Sequence, residues 1–392
     1  MIIMKKALII LWGIFPQLLA AQTKDAVAVH SFRAGDVLNR VAVSLPGNDL
    51  EGENGVWDLQ CMDLLDNYCV TVFDGVEAAP WIVTGYEKFS SRQYLMDGEC
   101  VSLLGRYSHT SRMTYDIPEQ IMHFPMNVGD SIQGIFGGTG SYSDKLYVRE
   151  YGSYKTKADA SGCLILPEND TLSHVFRLIT ERLVFVEAYP IDSMKMTYGD
   201  SIPEYCSDSI CRHIAIGVPL QRIREQRWYA EGYRYPVLES IEYRTAIDGK
   251  LISKVALFYP PSVQKEQLHN DEENEYLRSM IARGEYSGRS GGGDGDSGER
   301  NGMTGNTLIL DSFSQNNEAK TVTARYSLGI ATNVRAILAN SMGVVYHSIE
   351  QFHEAGSEYT LTLSYNGLPH GQYIVYISAG GQTHTAKFST DN

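Results

Sequence analysis

An aromatic and cationic cluster near residue 230 is the part of the sequence best suited to binding chemistry. Trp228, Tyr229, Tyr233 and Arg234 lie close together along the chain. Exposed rings of this kind stack on sugar rings, and a neighbouring guanidinium captures an acidic ligand. The alternative is a buried strand followed by a turn at Gly232, because successive strand residues point to opposite faces. The pattern therefore predicts either a ligand-binding site or a piece of core.

The other motifs of catalytic or metal-binding type do not predict a catalytic or metal site. Gly295-Asp296-Ser297-Gly298 matches the surroundings of a chymotrypsin-type serine, but its glycine-rich setting offers no rigid frame for a nucleophile. His347, Glu350 and His353 would share one face of a helix, yet their flanks alternate like strands, so we expect a solvated loop. We therefore predict no catalytic residue, no metal and no cofactor, and a site assembled from distant parts of the chain stays open.

The six cysteines are even in number, which suits an oxidising compartment. Cys206 and Cys211 bracket a short segment, and we predict a disulfide that closes this loop. A zinc site is the alternative, but a single Cys211-x-His213 pattern is weak evidence for it. Cys61 and Cys69 are the next closest pair, and Cys100 and Cys163 are left to pair or to remain as buried thiols.

The composition is that of a folded and acidic protein. Its 392 residues are 43% hydrophobic and 20% charged, which is enough for a sizeable core and for more than one domain. The 33 Lys and Arg residues against 47 Asp and Glu residues give a net charge of −14. Nucleic-acid binding depends on neutralising phosphates, so this balance excludes a general nucleic-acid binder.

The first 21 residues have the layout of a secretory signal peptide. Lys5 and Lys6 precede an apolar run that is short for a bilayer span, is interrupted by Pro16 and ends in small residues. We predict cleavage after Ala21, with an uncleaved anchor as the alternative. The protein is then secreted or held at the cell surface, and the export machinery is a partner.

Two β-rich modules follow, separated by a spacer. Compact apolar runs between turn residues predict an antiparallel β-rich module over residues 22–259, with a hairpin at Asp248-Gly249. Residues 260–306 predict a helical spacer starting near Val263 and then a Gly-rich linker. Residues 307–392 predict an immunoglobulin-like β-sandwich of seven short strands, so the fold class is mostly β. Those strands are Thr307–Leu310, Thr321–Leu328, Asn333–Leu338, Val344–Ser348, Tyr359–Ser364, Gln372–Ser378 and Thr383–Ser389.

The last module resembles the C-terminal sorting domain of proteins exported by the Bacteroidetes type IX secretion system. Leu368, Gly371 and Tyr373 match that family's Leu-x-x-Gly-x-Tyr pattern, and Lys387 stands in the final strand. The resemblance covers about residues 307–392 and implies an address tag that is removed or modified during transit through the outer membrane, with an outer-membrane secretion apparatus as a partner. The chain departs from the family by ending in Ser-Thr-Asp-Asn. From the residues alone, these positions also suit any accessory sandwich.

Two further resemblances concern the compartment. The run Trp228–Leu238 is similar to part of a β-rich module of secreted Bacteroidetes proteins, a likeness that implies a compartment and no activity. Five Asp-Ser/Thr pairs before an aliphatic residue or methionine resemble the Bacteroidetes O-glycosylation signal, and the alternative is that they mark turns before strands. They are Asp130-Ser131, Asp170-Thr171, Asp192-Ser193, Asp200-Ser201 and Asp208-Ser209.

Three functional hypotheses follow. The first is an exported or cell-surface protein without enzymatic activity, whose C-terminal module sorts or anchors it. The second is a carbohydrate-binding or adhesive protein that holds glycans with the cluster around Trp228. The third is a secreted hydrolase.

Overall fold

The computed structural model describes residues 30–45, 55–98, 100–167, 170–198, 207–286 and 307–390. The signal peptide predicted at residues 1–21 and the Gly-rich linker lie outside these ranges. The mostly β, antiparallel fold class is confirmed. The strands are β1 (Val37–Ser44), β2 (Val56–Asp58), β3 (Asp63–Val76), β4 (Ala79–Tyr86), β5 (Ser90–Asp97), β6 (Cys100–Ser108), β7 (Ser111–His123), β8 (Ser131–Tyr142), β9 (Leu146–Ile165), β10 (Thr171–Pro190), β11 (Gln221–Ala230), β12 (Leu238–Thr245), β13 (Leu251–Phe258), β14 (Leu308–Asn316), β15 (Thr321–Leu328), β16 (Thr332–Asn340), β17 (Val345–His353), β18 (Gly356–Ser364), β19 (Gly371–Ala379) and β20 (Gln382–Thr390). The helices are α1 (Ile191–Tyr198), α2 (Ser207–Ile216), α3 (Pro261–Gln267) and α4 (Glu272–Ala282).

Twelve strands of the N-terminal module close into a barrel-like sheet. The order is β10-β11-β12-β13-β1-β3-β4-β5-β6-β7-β8-β9, and β9 pairs again with β10. Strand β2 adds to β9 in the parallel sense. The hairpin predicted at Asp248-Gly249 joins β12 to β13. Closure satisfies the hydrogen-bonding groups that an open sheet would leave unpaired at its two edges.

The inside of the closed sheet is filled by large side chains at one end. Alternate residues of each strand point inward, as the period of two requires. Phe73, Tyr115, Phe136, Phe176 and Tyr229 are buried members of this core. The other end of the interior carries charged side chains and opens into a cavity.

The outer face of the same sheet carries a second core beneath β2 and the residues after it. Trp57 and Trp228 meet edge to face, with ring centroids 6.3 Å apart. Leu238 and Phe258 complete this contact from β12 and β13. The run at residues 226–230 therefore buries both of its faces, one inside the closed sheet and one outside it.

The segment predicted as one helical spacer is two helices that pack on the closed sheet. Asn270 adopts a positive φ of 54°, a left-handed conformation that breaks the helical pattern and turns the chain back. The side chain of Gln264 in α3 exchanges two hydrogen bonds of 3.2 Å with the backbone of Tyr235. Arg278 in α4 donates to the carbonyl of Gly232 at 2.6 Å. This segment is therefore part of the N-terminal module and not a free spacer.

The C-terminal module is a two-sheet sandwich. One sheet has the order β14-β15-β18 and the other β17-β16-β19-β20, which confirms the seven predicted strands. Val322, Tyr326, Leu361 and Val375 belong to the core between the sheets. Strand β17 extends to His353, so the prediction of a solvated loop around residues 347–353 is wrong. Its alternation continues past Ser348 because Ile349 still packs against the core.

Among the described residues, no helix has both the length and the apolar character required to cross a membrane.

Candidate functional site

The two modules meet across a buried apolar contact. Ile82, Leu95 and Leu104 on the outer face of the closed sheet pack against the four-stranded sheet of the sandwich. Ile337 and Tyr376 are among the residues they touch, and all five are almost fully buried. Burial of this kind contributes roughly 25 cal/mol per Å² of apolar surface, so the contact holds the modules together.

Lys387 fixes one side of the junction. Its ammonium lies 2.5 Å from the Asp116 carboxylate on β7 and donates to the Thr139 hydroxyl on β8 at 2.7 Å. The hydroxyl of Thr385 donates to the carbonyl of Asp116 at 2.7 Å. The Asp116 side chain is only 4% exposed, so the pair is an internal one.

Arg335 fixes the other side. Its guanidinium donates to the Asp97 carboxylate at 2.9 Å and lies 5.6 Å from the ring of Trp81. The N–H of Gly381 donates to the second oxygen of Asp97 at 3.0 Å. Burial raises the pKa of Asp97 above its ordinary value, and these two donors only partly offset that effect.

A cleft of about 590 Å³ opens beside the Lys387 contact. Strands β7 to β9 form one wall, with Arg112 and Thr139 among its residues, and β14 and β19 to β20 form the other, with Gln315 and Phe388. Gly140 lies in the first wall, where a Cβ atom would come within 1.8 Å of the Arg112 carbonyl oxygen. Glycine is therefore required there for β7 and β8 to pair closely.

The cleft offers hydrogen bonds and aromatic surface without negative charge. Hydroxyl groups line both walls and amide groups line the second, and no carboxylate is among the lining residues in the described ranges. Gln315 donates its amide hydrogens to the Tyr365 hydroxyl and the Ser389 carbonyl, which leaves its carbonyl oxygen as an acceptor. Arg112 is half exposed and lies 3.4 Å from Asp144, a surface pair that contributes little. The aromatic lining residues are Tyr147, Phe313, Tyr373 and Phe388.

The cluster predicted for ligand binding lies in the interior. Trp228 and Tyr229 are 0% and 1% exposed. The guanidinium of Arg177 lies 5.5 Å and 5.8 Å from the rings of Trp57 and Trp228, so the indole faces are already covered. Tyr229 packs inside the closed sheet, where burial raises its pKa. Both residues are therefore part of the core, and neither offers a surface on which a sugar could stack.

Tyr233 and Arg234 hold the helices in place. Arg234 forms a buried ion pair of 2.5 Å with Asp271, just before α4. The ring of Tyr233 lies between Lys265 and Arg278, whose charged groups are 5.7 Å and 5.6 Å from its centroid. Both side chains therefore stabilise the fold in this structure.

The predicted disulfide partner Cys206 lies outside the described residues, so its pairing with Cys211 stays a prediction. Within the described ranges no disulfide forms, and Cys61, Cys69 and Cys163 carry free thiols. Sequence reasoning missed the contact between the Cys100 sulfur and Nδ1 of His123, which are 3.2 Å apart across β6 and β7. Only strand register could have predicted this pair.

The motif residues of the sorting resemblance build the sandwich. Leu368 packs against the core, and the hydroxyl of the buried Tyr373 donates to the carbonyl of Pro369 at 2.6 Å. Gly371 begins β19 with an extended φ of 158°. Lys387 is engaged with Asp116, and Tyr373 and Lys387 also line the junction cleft. The sorting role itself stays a prediction.

In the described parts of the chain, no group of three or more His, Cys, Asp or Glu side chains lies close enough together to hold a metal ion. His347 and His353 lie on β17 with Glu350 between them on the opposite face, as strand alternation requires.

Of the five O-glycosylation motifs, Ser131 and Thr171 stand at the start of strands. The modification stays a prediction.

Comparisons with known proteins give no family. No family model and no curated protein matches the chain. A solved tetra-tandem repeat from the extending region of a large adhesion protein aligns with 94% of this chain and 97% of its own, at 9% identity and a TM-score of 0.19. PorZ, an essential bacterial surface component of the type-IX secretion system of Porphyromonas gingivalis, aligns over 83% of this chain and 58% of its own, at 6% identity and a TM-score of 0.16. TM-scores this low do not indicate a shared fold, so neither likeness carries an argument about function.

Proposed function

We propose that this protein is an exported or cell-surface binding protein that holds an oligosaccharide in the junction cleft. The observation that carries the proposal is the lining of the cleft, which presents hydroxyls, amides and aromatic rings from both modules and no carboxylate. The signal-peptide pattern at Lys5 to Ala21 supports export. We therefore place the binding site at the junction cleft and not at the buried cluster around Trp228.

Saccharide chemistry fits this lining. Each sugar hydroxyl both donates and accepts, so it is best held by accessible groups such as Gln315 and Ser141 that offer the complementary atoms. The apolar face of a sugar ring packs on an aromatic side chain, and the partly exposed Phe313 supplies that surface. A volume of about 590 Å³ holds about twenty water-sized groups of ~30 Å³, which is the size of a disaccharide.

A glycan array with the full-length protein, followed by calorimetric titration of the best ligand, tests the proposal. We expect Gln315→Ala to weaken binding about tenfold because it removes an acceptor and its fixed amide. Gln133→Ala is the matched control, since Gln133 is an exposed glutamine that does not line this cleft. Absence of any glycan ligand, or equal affinities for the two variants, would contradict the proposal.

We also propose that the C-terminal module sorts or anchors the protein. Leu368, Gly371 and Tyr373 support this through their resemblance to a type IX sorting domain.

Export itself is tested by amino-terminal sequencing of the exported protein. We expect the mature chain to begin at Gln22. A mature chain that starts at Met1 would refute the export signal.

A further inference from the structure

A second cavity lies inside the open end of the closed sheet, away from the junction cleft. Its volume is about 270 Å³, and strands β5 to β12 contribute to its wall. Val186 and Leu220 line it and are 39% and 53% exposed, so the cavity opens to solvent. The mouth of a closed sheet is a common position for a small-molecule site.

The floor of this cavity is a network of ion pairs in which the glutamates are shared. Arg182 pairs with Glu119 at 2.5 Å and with Glu225 at 2.8 Å. Glu225 also pairs with Arg227, and Arg227 with Glu239 at 3.3 Å. Burial opposes ionisation of Glu225, but Arg227 and Arg182 outweigh it and lower the pKa of this carboxyl to about 2. The floor is thus fixed and fully paired.

Higher in the wall, Arg106 is also paired. It lies 2.6 Å from Glu150, which accepts a further hydrogen bond of 2.8 Å from the Tyr115 hydroxyl. Arg92 differs from the other arginines of the cavity. Within the described ranges it has no carboxylate within 4.0 Å, and its hydrogen-bonding partner is the Tyr94 hydroxyl.

The charged side chains that line the cavity do not cancel one another. Four arginines and three glutamates line it, which leaves one net positive charge among the lining residues, and Glu239, which pairs with Arg227 and with Arg40, lies behind them. Arginine stays protonated at any physiological pH, so the cation is permanent. Arg92 is exposed to the water of the cavity and is, among the described lining residues, the arginine without an ion-pair partner within 4.0 Å.

The part of the wall formed by β10 to β12 carries apolar side chains. Ile223 and Ile241 line the cavity from β11 and β12, beside Tyr243, and Val186 lines it from β10. A ligand that placed a charge on Arg92 would therefore place the rest of its body against aliphatic surface. Removing that surface from water favours binding.

We propose that the open end of the closed sheet binds a small amphipathic carboxylate, with its carboxylate on Arg92 and its hydrocarbon body against Ile223 and Ile241. The two guanidinium N–H groups of Arg92 match the two oxygens of a carboxylate. A volume of about 270 Å³ holds about nine water-sized groups of ~30 Å³, so the ligand class is a medium-chain fatty acid or an aryl carboxylic acid.

Calorimetric titration of the full-length protein with octanoate and with 1-octanol tests the proposal. We expect octanoate to bind and octanol to bind at least tenfold more weakly, because octanol lacks the charge. Arg92→Gln should weaken octanoate binding about tenfold or more. Arg222→Gln is the matched control, since Arg222 is an exposed arginine of β11 that does not line this cavity.

A second variant keeps the test decisive if Arg92→Gln unfolds, which a thermal melt would reveal. Val186→Asp places a negative charge at the exposed rim and should also weaken octanoate binding. No octanoate binding in the millimolar range, equal binding of octanol, or identical affinities for Arg92→Gln and Arg222→Gln would each overturn the proposal. Gln315→Ala should leave octanoate binding unchanged, so this test fails or succeeds independently of the junction cleft.

Discussion

Two buried glutamates of one network have opposite pKa shifts, and the number of arginines beside each explains the difference. Among the described residues Glu119 forms an ion pair with Arg182 alone, and its burial raises the pKa of its carboxyl above the ordinary value. Glu225 lies between Arg182 and Arg227, which lower its pKa to about 2 against the same burial. A second guanidinium therefore decides whether a buried carboxylate favours its charged form.

The acid sensitivity of the protein should depend on Glu225. Because its folded-state pKa lies below the ordinary value of 4.5, its contribution to stability is present above pH 4.5 and is lost as the pH falls towards 2. We expect Glu225→Gln to lose about 3–5 kcal/mol at pH 7 and to show a shallower decline below pH 4.5. Urea unfolding from pH 7 to pH 3 measures both. Glu318→Gln, at an exposed site, is the control, and parallel pH profiles for the wild type and Glu225→Gln would exclude this role.

Lys387 should matter for stability as much as any core residue. Replacing it by Met removes the cation that faces Asp116 across the junction, and breaking a buried ion pair costs about 3–5 kcal/mol. Lys155→Met is the matched control, because Lys155 is an exposed strand lysine of β9. Chemical denaturation should separate the two variants clearly. A Lys387→Met protein as stable as Lys155→Met would show that the pair contributes nothing.

At the scale of elements, sequence alternation predicts strands but not the partners they choose. The strands of the sandwich and the β12–β13 hairpin could be predicted because their period and turn residues are local. Closure of the N-terminal sheet depends on pairing between β1 and β13, which are distant in sequence, and no local pattern encodes that pairing. The fold-back of α3 and α4 depends on one residue, Asn270, in a left-handed conformation.

The turn between β19 and β20 should be sensitive to a single methyl group. Gly381 has a φ of 82°, and a Cβ atom there would lie 2.6 Å from the Cys100 sulfur of the other module. Gly367 has a similar φ of 77° but open space around it, so Gly367→Ala measures the backbone strain alone, about 1 kcal/mol. Gly381→Ala should cost a further ~1–3 kcal/mol from the clash. Equal melting temperatures for the two variants would show that the turn does not seat tightly on β6.

For the whole molecule, the candidate site could be predicted only in part, because it exists where two modules meet. Tyr373 and Lys387 were singled out from a sequence resemblance, and both line the junction cleft. Arg112 and Gln315 carry no motif, and only docking of the sandwich brings them to one cleft. The same docking leaves the aromatic cluster around Trp228 untouched, because β2 already covers it.

The junction changes how the sorting hypothesis has to be tested. Deleting residues 307–392 exposes Ile82, Leu95 and Leu104 and removes the cations from Asp97 and Asp116. We expect the truncated protein to bind a hydrophobic dye and to aggregate, because a contiguous apolar patch is uncovered. A truncated protein that stays monomeric and binds no dye would show that the junction is not an obligatory interface.

Loss of surface delivery after truncation would therefore have two explanations, misfolding or a missing address. Full-length Gly381→Ala separates them, since it weakens the junction and keeps the motif residues Leu368, Gly371, Tyr373 and Lys387. If the C-terminal module is an address, cell fractionation should find Gly381→Ala at the surface and the truncated chain in the periplasm. If both are retained in the periplasm, the folded junction is what export requires. A truncated chain that still reaches the surface would refute the address role, because no part of the module would then be needed for delivery.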